Sequence, residues 1–263
     1  MSNANNLGAS GANAGLKASL CIVFLVVSPP AFADDSKSLF GLNLSKSDKN
    51  NSLFEGAYIG FGFNLEKNIV KKTEYSGAFP LIGLPLIYGV NNGVSYSGLS
   101  VSLNGGYNFE INPKILLGVG GELSISSSTG SVETDIYLSG SSPVLIGHAL
   151  ALHTLKNKYN FFISPGYVIS RDKLVYSKFG YSHMDSILDF EDSAPIELDF
   201  NGYLAGLGYK QIYKDHLYGF GEINYYYYPS ADGETTTLDA ANYLSVETSY
   251  DSLIITFGFG YLF

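Results

Sequence analysis

The chain has 263 residues, a formal net charge of −9, only 15% charged residues, and 30 Gly, 21 Tyr and 17 Phe. Such a composition excludes an intrinsically disordered protein, because disorder requires low hydrophobicity and high charge. No run of about 18 apolar residues exists, which excludes a membrane protein built from spanning helices. The acidic balance argues against nucleic acid as a partner, since phosphates attract a basic surface.

Residues 1–33 are predicted to be a secretory signal peptide. Lys17 precedes a short apolar run, and Ala31 and Ala33 supply the small residues of a signal cleavage site. The single cysteine, Cys21, lies inside the apolar run and not after it, which argues against a lipid-modified cysteine. Cleavage after Ala33 leaves a mature chain without cysteine, so no disulfide or thiol chemistry is expected.

Residues 34–53 are polar and are predicted to be a flexible periplasmic lead-in. From residue 54 onward, apolar residues alternate with small or polar residues at a period of two, which is typical of β-strands. Eight segments follow this pattern: 54–66, 96–111, 115–125, 144–155, 159–170, 198–209, 217–228 and 250–263. The register of the fourth segment is left open, because apolar residues occupy both of its faces.

The predicted connections alternate in length. Three are short (112–114, 156–158 and 210–216) and four are long (67–95, 126–143, 171–197 and 229–249). This alternation is typical of membrane barrels, which have tight turns at one rim and long loops at the other. The segments also have the ~9–11 residues that a tilted membrane strand needs. We therefore predict an all-β fold, an eight-stranded antiparallel up-and-down transmembrane β-barrel over residues 54–263, with its apolar faces toward lipid.

A ninth strand over 80–90 is the alternative to this count. Single-chain bacterial barrels have an even number of strands. We therefore expect this stretch to extend the first hairpin beyond the membrane or to fold over the rim.

The chain ends on a pattern of four residues, Thr256, Gly258, Tyr261 and Phe263. The pattern resembles the C-terminal assembly signal of bacterial outer-membrane proteins. Over about 54–263 the chain resembles the small eight-stranded barrels of the OmpA transmembrane-domain, OmpX and opacity-protein type. The resemblance implies a place in the Gram-negative outer membrane, contact with its lipid and lipopolysaccharide, and insertion by the outer-membrane assembly machinery. It implies no single function, because such barrels serve as adhesins, anchors, pores and occasionally enzymes.

Charged residues fall on the predicted interior face of several strands. They are Glu66, Glu110, Glu122 and Glu222, with Lys114 and Lys210 near the short-turn rim. An eight-stranded lumen is only wide enough for side chains to fill it, and charges buried there must pair or contact water. We expect an internal salt-bridge plug, and a gated polar path is the alternative.

No catalytic, cofactor or metal site is predicted. His148 and His153 are expected to face opposite sides of a strand, and His216 lies in a short turn. His183 alone has a hydroxyl and a carboxylate nearby, but it falls in a predicted long loop without rigid support. The acidic residues of that loop show no fixed ligand spacing, so a solvated loop is expected.

The favoured function is a non-enzymatic surface protein whose loops contact a host or surface ligand or protect the envelope. The apolar stretch 78–88 of the first predicted loop is a candidate contact patch. The alternative function is a narrow channel for small solutes or ions, and a lipid-modifying enzyme ranks third.

Overall fold

The computed structural model describes residues 52–79, 84–138, 144–190, 195–236 and 243–263. The predicted signal peptide with Ala31 and Ala33, and residues 34–51 of the predicted lead-in, lie outside these ranges. No helix among the described residues is long and apolar enough to cross a membrane.

Within these ranges, nine antiparallel β-strands form one sheet. They are β1 (Gly56–Phe79), β2 (Leu84–Asn112), β3 (Ile115–Ser124), β4 (Ser128–Leu138), β5 (Val144–Ser170), β6 (Lys173–Phe190), β7 (Ile196–Lys214), β8 (Leu217–Thr236) and β9 (Tyr243–Leu262). The sheet is closed because β1 pairs with both β2 and β9. β3 and β4 share one position in the ring, since both lie between β2 and β5. The ring thus has eight positions, which confirms the predicted eight-stranded up-and-down barrel.

Two predicted segments, 144–155 and 159–170, are in fact the single strand β5. The short turn predicted at 156–158 is wrong, because the polar residues there form a β-bulge. Asn157 has a positive φ of 52°, and the pairing with β6 shifts register at this point. A second bulge lies within the fourth segment, because the pairing of β4 with β5 shifts by one residue at Ile146. An extra residue changes which positions face inward, so apolar residues occupy both parities of this segment.

The long loop predicted at 171–197 is also wrong. The chain turns tightly at Arg171 and Asp172, and β6 follows directly. Splitting β5 and missing β6 cancel in the number of ring positions, which is eight as predicted. β4, within the predicted loop 126–143, is a second strand that the pattern misses, but it shares its ring position with β3. The predicted loops 67–95 and 229–249 are largely continuations of β1, β2, β8 and β9. The stretch from Leu84 to Val90 belongs to β2 and extends the first hairpin, as expected.

Large apolar side chains cover the outside of the lower part of the barrel. Exposed examples include Ile59, Phe63, Leu65, Tyr107, Phe109, Phe161, Ile163, Leu207, Phe257 and Phe259. Small and polar residues alternate with them and face the interior, as Asn64, Ser102 and Asn104 do. In water such an exterior would aggregate, whereas in a bilayer it is the lipid-facing band.

An upper tyrosine belt marks the outer limit of this band. It consists of Tyr159, Tyr181, Tyr203 and Tyr227 on β5 to β8, and Tyr181, Tyr203 and Tyr227 are direct cross-strand neighbours. Tyrosine prefers this level because its ring is apolar and its hydroxyl group is polar. Segments between the belt and the tight turns, such as 217–227, match the ~9–11 residues needed to span the membrane. We call the strand segments beyond the belt the extracellular extension.

The polarity of the two faces is reversed in the extracellular extension. On β7 above Tyr203, three apolar residues face inward and are at most 1% exposed: Ile196, Leu198 and Phe200. The residues between them face outward and are exposed polar groups: Glu197, Asp199 and Asn201. The extension is therefore built like a water-exposed barrel with its own apolar core, stacked on a membrane-spanning barrel whose outer face is apolar.

The wall of the extension has two interruptions among the described residues. β7 pairs with β8 only from Tyr203 and Tyr227 toward the tight turn, so 196–202 have no ladder partner on β8. The other interruption lies along β2. β2 pairs with β3 over 102–112 and with β4 only over 87–90. Between them, residues 91–100 have no ladder partner on this edge. The ring of Tyr96 covers part of the interruption, since a Cβ added to Gly130 would lie 2.3 Å from that ring. Side-chain packing, and not backbone hydrogen bonding, closes the wall here.

Cysteine replacements test the corrected topology. The structure places Asn157 beyond the upper tyrosine belt and Arg171 in a turn at the opposite rim, whereas the sequence pattern predicts the reverse. In a Cys21→Ser background, a polymer-linked maleimide that cannot cross the outer membrane should label Asn157→Cys on intact cells and leave Arg171→Cys unlabelled. Both should react after permeabilisation. Glu133→Cys, in the extension, is the positive control, and labelling of only Arg171→Cys beside it would contradict the structure.

Candidate functional site

A buried ion cluster crosses the middle of the lumen. The Nζ atom of Lys178 on β6 lies 2.8 Å from a carboxylate oxygen of Glu122 on β3 and 3.0 Å from one of Glu222 on β8. The three side chains are 1%, 8% and 6% exposed. One ammonium group therefore joins three strands that are not neighbours in the ring.

Further donors satisfy the carboxylates of this cluster. The hydroxyl group of Tyr176 and the amide of Asn224 donate to Glu222 at 2.5 and 2.9 Å. The amide of Asn160 donates to Glu122 at 3.1 Å. Buried charges are tolerated only when their remaining hydrogen-bonding capacity is met. The cluster meets this condition and fills the lumen at this level.

An apolar plug closes the lumen on the periplasmic side of the ion cluster. Its buried residues are Phe54, Tyr58, Leu116, Val168, Leu174, Tyr176, Ile212, Tyr218, Phe220 and Leu262. Lys210 lies among them with its Nζ atom 4.0 Å from the ring centre of Tyr58, within cation–π distance. We call this group the lower plug.

The other predicted interior charges lie on the β1–β2 side. Glu66 is buried and accepts a hydrogen bond from Ser100. Glu110 is half-buried near the periplasmic mouth and accepts a hydrogen bond from the backbone of Ser52 at 2.6 Å. Burial, followed by the nearby Glu110 carboxylate, raises the pKa of Glu55 just before β1. Lys114 is exposed in the β2–β3 turn and does not enter the lumen.

A second apolar cluster, the upper core, fills the interior of the extension and reaches down to the level of the tyrosine belt. Its members are Val70, Leu155, Met184, Leu188, Ile196, Leu198, Phe200, Leu204, Tyr226, Tyr228, Val246, Tyr250 and Ile254. Phe200 and Tyr250 pack edge to face with ring centres 4.9 Å apart. His153 is fully buried beside them, and its Nδ1 atom is hydrogen-bonded to the hydroxyl group of Tyr250.

The four histidines lie in different surroundings. His148 is exposed and lies 2.7 Å from Asp135, whereas His153 is buried inside the upper core. His216 is exposed in the β7–β8 turn. His183 does not lie in an unsupported loop, as the sequence pattern predicts, but on β6 directly above the tyrosine belt. Its Nε2 atom is 2.9 Å from Asp185.

The residues of the predicted assembly signal lie on β9 and at its end. Thr256 faces inward and donates a hydrogen bond to Asn64 at 2.8 Å. Gly258 leaves room for the ring of Phe220. Tyr261 and Phe263 face outward, and Phe263 is 69% exposed. Their role in assembly stays a prediction.

Sequence reasoning missed two important lysines. The sequence pattern places Lys178 in a long loop and Lys158 in a tight turn, yet both are buried in the lumen. Lys158 lies with its Nζ atom 3.9 Å from the ring centre of Tyr226. Leu174, Tyr176 and Lys178 alternate with exposed residues and all face inward, which marks Lys178 as a lumen residue. This alternation can be recognised as a strand once the bulge shows that β5 is a single strand.

No protein-family model matches the sequence, and no curated protein matches it. Solved structures do share its fold. Outer membrane protein OprG from Pseudomonas aeruginosa is similar over 82% of this chain and 99% of its own, with 14% identity and a TM-score of 0.52. The fold is that of an outer-membrane β-barrel. At this identity the likeness concerns the fold alone, and together with the lipid-facing band it places the chain in the outer membrane, as predicted.

Two other similar structures differ in what their names describe. The outer membrane protease OmpT from Escherichia coli has 10% identity and a TM-score of 0.46 over 78% of this chain and 97% of its own. Ail, the attachment invasion locus protein of Yersinia pestis, has 11% identity and a TM-score of 0.38 over 76% of this chain and 99% of its own.

Replacing Lys178 tests the ion cluster. Lys178→Met leaves Glu122 and Glu222 buried without their shared cation. The free energy of unfolding in lipid vesicles, measured by urea titration, should fall by about 3–5 kcal/mol, the usual cost of removing one partner of a buried ion pair. The triple variant with Glu122→Gln and Glu222→Gln should regain most of this loss, because no uncompensated charge remains.

The matched control is Lys156→Met, which breaks an exposed ion pair with Glu197 at 3.4 Å. It should change the free energy of unfolding by no more than about 1 kcal/mol. An equal loss for Lys156→Met and Lys178→Met would contradict a special role of the buried cluster.

Replacing the last residue tests the predicted assembly signal. Phe263→Ala should reduce the amount of folded protein in the outer membrane several-fold, measured by the mobility difference between boiled and unboiled samples. Phe257→Ala removes another outward-facing ring, 59% exposed and outside the pattern, and should assemble normally. The stability of the purified barrel should fall no more in Phe263→Ala than in Phe257→Ala. A parallel loss for both variants would argue against a specific signal.

Proposed function

We propose that this protein is a non-enzymatic, non-conducting outer-membrane barrel that makes contacts at the cell surface through its extracellular extension. The observation that carries the proposal is the filled interior. The lower plug, the Lys178 ion cluster and the upper core follow one another along the barrel axis. A lumen filled at three levels supports a structural and not a conducting interior.

The extension has the features of a stable display surface. Its apolar core is enclosed by the barrel wall, so the strands need no lipid to hold them beyond the membrane. Exposed acidic residues cover its outer face, among them Glu133, Asp189, Glu197, Asp232 and Glu247. Complementary charge favours a basic partner, and such contacts weaken as salt is added.

Within the residues that the structure describes, the outer rim does not bring together the parts of a hydrolase of the Ser-His-acid type. His183 and Asp185 face outward, but the neighbouring hydroxyl groups of Ser182 and Ser186 are fully buried on the opposite face of β6. A nucleophile and its base must lie within hydrogen-bonding distance. This arrangement favours a non-enzymatic function over that of a lipid-modifying enzyme.

Conductance across a planar bilayer tests the filled lumen. The purified full chain, with folding verified by gel mobility, should give no discrete current steps under conditions where a general porin conducts. Reproducible steps would favour the channel alternative. In that case Lys178→Met should change their size, because Lys178 lies at the centre of the lumen.

Adhesion of bacteria that display the protein tests the surface role. Cells with the unaltered chain should bind a polylysine-coated surface more strongly than cells in which Glu133, Glu197, Asp232 and Glu247 are replaced by Gln or Asn. The difference should disappear at high salt. A heparin-coated surface is the matched probe of opposite charge, and stronger binding to heparin would contradict the proposed basic partner.

A further inference from the structure

A compact group of polar side chains, the rim cluster, lies on the outer face of the barrel directly above the upper tyrosine belt. It consists of His183 and Asp185 on β6 and Asp199 and Asn201 on β7. The strand register sets His183 opposite Asn201 and Asp185 opposite Asp199. Donor atoms of His183, Asp185 and Asp199 all lie within 4.8 Å of one another.

Hydrogen bonds in the rim cluster determine where the His183 ring carries its proton. The hydroxyl group of Tyr181 donates to Oδ1 of Asn201, so that oxygen is an acceptor. Nδ1 of His183 lies 3.0 Å from the same oxygen and is therefore the protonated nitrogen. Nε2 then faces Oδ1 of Asp185 at 2.9 Å. The lone pair of a neutral ring would repel this carboxylate unless a proton or a metal ion lies between them.

The charges of the rim cluster favour a cation. Asp185 and Asp199 lie directly opposite each other, and like charges in that position destabilise a sheet. The sequence has no Lys or Arg between Lys178 and Lys210. Within the described part of the chain, Lys156 is the basic residue nearest in register, and it pairs with Glu197 instead. A bound cation would convert the repulsion of the two aspartates into shared coordination.

Neighbouring residues hold the donor groups in place. The Asn157 amide, brought there by the bulge in β5, donates to Oδ2 of Asp185 at 2.6 Å and leaves Oδ1 directed at His183. The ring of Tyr159 stacks on that of His183 with centres 4.8 Å apart. Sites supported by strands and secondary contacts keep their geometry better than sites on loops.

We propose that His183, Asp185 and Asp199 bind one Zn²⁺ ion at the cell surface. Zn²⁺ combines imidazole nitrogen with carboxylate oxygen and binds through three protein ligands when a fourth position stays open. Mg²⁺ and Ca²⁺ prefer oxygen ligands alone. The contact of Nδ1 with Asn201 is the outer hydrogen bond that orients a metal-binding histidine. With Zn²⁺ bound, the Nε2 lone pair points at the metal, and no proton is needed beside Asp185.

Calorimetric titration with ZnCl₂ tests the proposal. The full chain is purified in detergent without a histidine tag, treated with EDTA and freed of it. One Zn²⁺ per chain should bind. His183→Ala and Asp199→Asn should each abolish this binding, whereas Asn201→Ala should weaken it by about 10–100-fold, as expected for an outer contact.

His148→Ala is the matched control. The Nδ1 atom of His148 lies 2.7 Å from Asp135 and 3.9 Å from Glu133. The donor atoms of these three residues do not all lie close together as those of the rim cluster do. Its replacement should leave Zn²⁺ affinity unchanged, and gel mobility verifies that each variant is folded. Absence of Zn²⁺ binding by the unaltered chain would overturn the proposal. Binding that survives both His183→Ala and Asp199→Asn, or that is lost in His148→Ala, would overturn it as well.

Discussion

The surroundings of the barrel wall change from hydrocarbon to water at the upper tyrosine belt, and the rest of the structure depends on that change. Below the belt, a strand must present apolar side chains outward, and the lumen is filled by small and polar groups, the ion cluster and the lower plug. Above it, the same strand gains free energy by turning apolar groups inward. β7 shows the transition within a few residues: Leu207 faces lipid, whereas Phe200 lies in the upper core. The ladder with β6 runs through this transition without a break, whereas the ladder with β8 ends at the belt, at Tyr203 and Tyr227.

Period-two alternation predicts the membrane-spanning parts well, because lipid imposes the same outward apolar face on every strand. It fails in the extension for two physical reasons. Polar residues above the belt mark a water-facing strand surface, so the stretch around Asp185 and Asp199 has the composition of a loop although it is paired β-structure. At the bulge at Asn157, the residues of β5 that face inward change from one parity to the other. A strict period of two does not predict this change. The wrong turn at 156–158 and the missed strand β6 both result from this bulge.

Side-chain partners were less predictable than strands. Glu122 and Glu222 are recognisable as inward groups from their positions, but their cation, Lys178, comes from a strand that the pattern did not reveal. The rim cluster likewise depends on register, since only the pairing of β6 with β7 brings Asp199 opposite Asp185. A buried cation bound to two acids contributes less to net stability than its contacts suggest. It also requires β3, β6 and β8 to keep their relative positions. The cluster therefore disfavours a barrel in which the strands pair in another order or register.

The length of β5 has a consequence for how the cell surface is reached. From Tyr159 to Val144 the strand rises beyond the membrane by about 35 Å, given its usual rise per residue and tilt. Lipid headgroups occupy only a small part of that height, so the end of the hairpin stands clear of the bilayer. Large particles, such as antibodies or bacteriophages, would meet the hairpin ends first, whereas small ions and solutes can also reach the tyrosine belt. One chain thus offers two surfaces. Large particles reach the hairpin ends, and small ions and solutes also reach the region of the tyrosine belt.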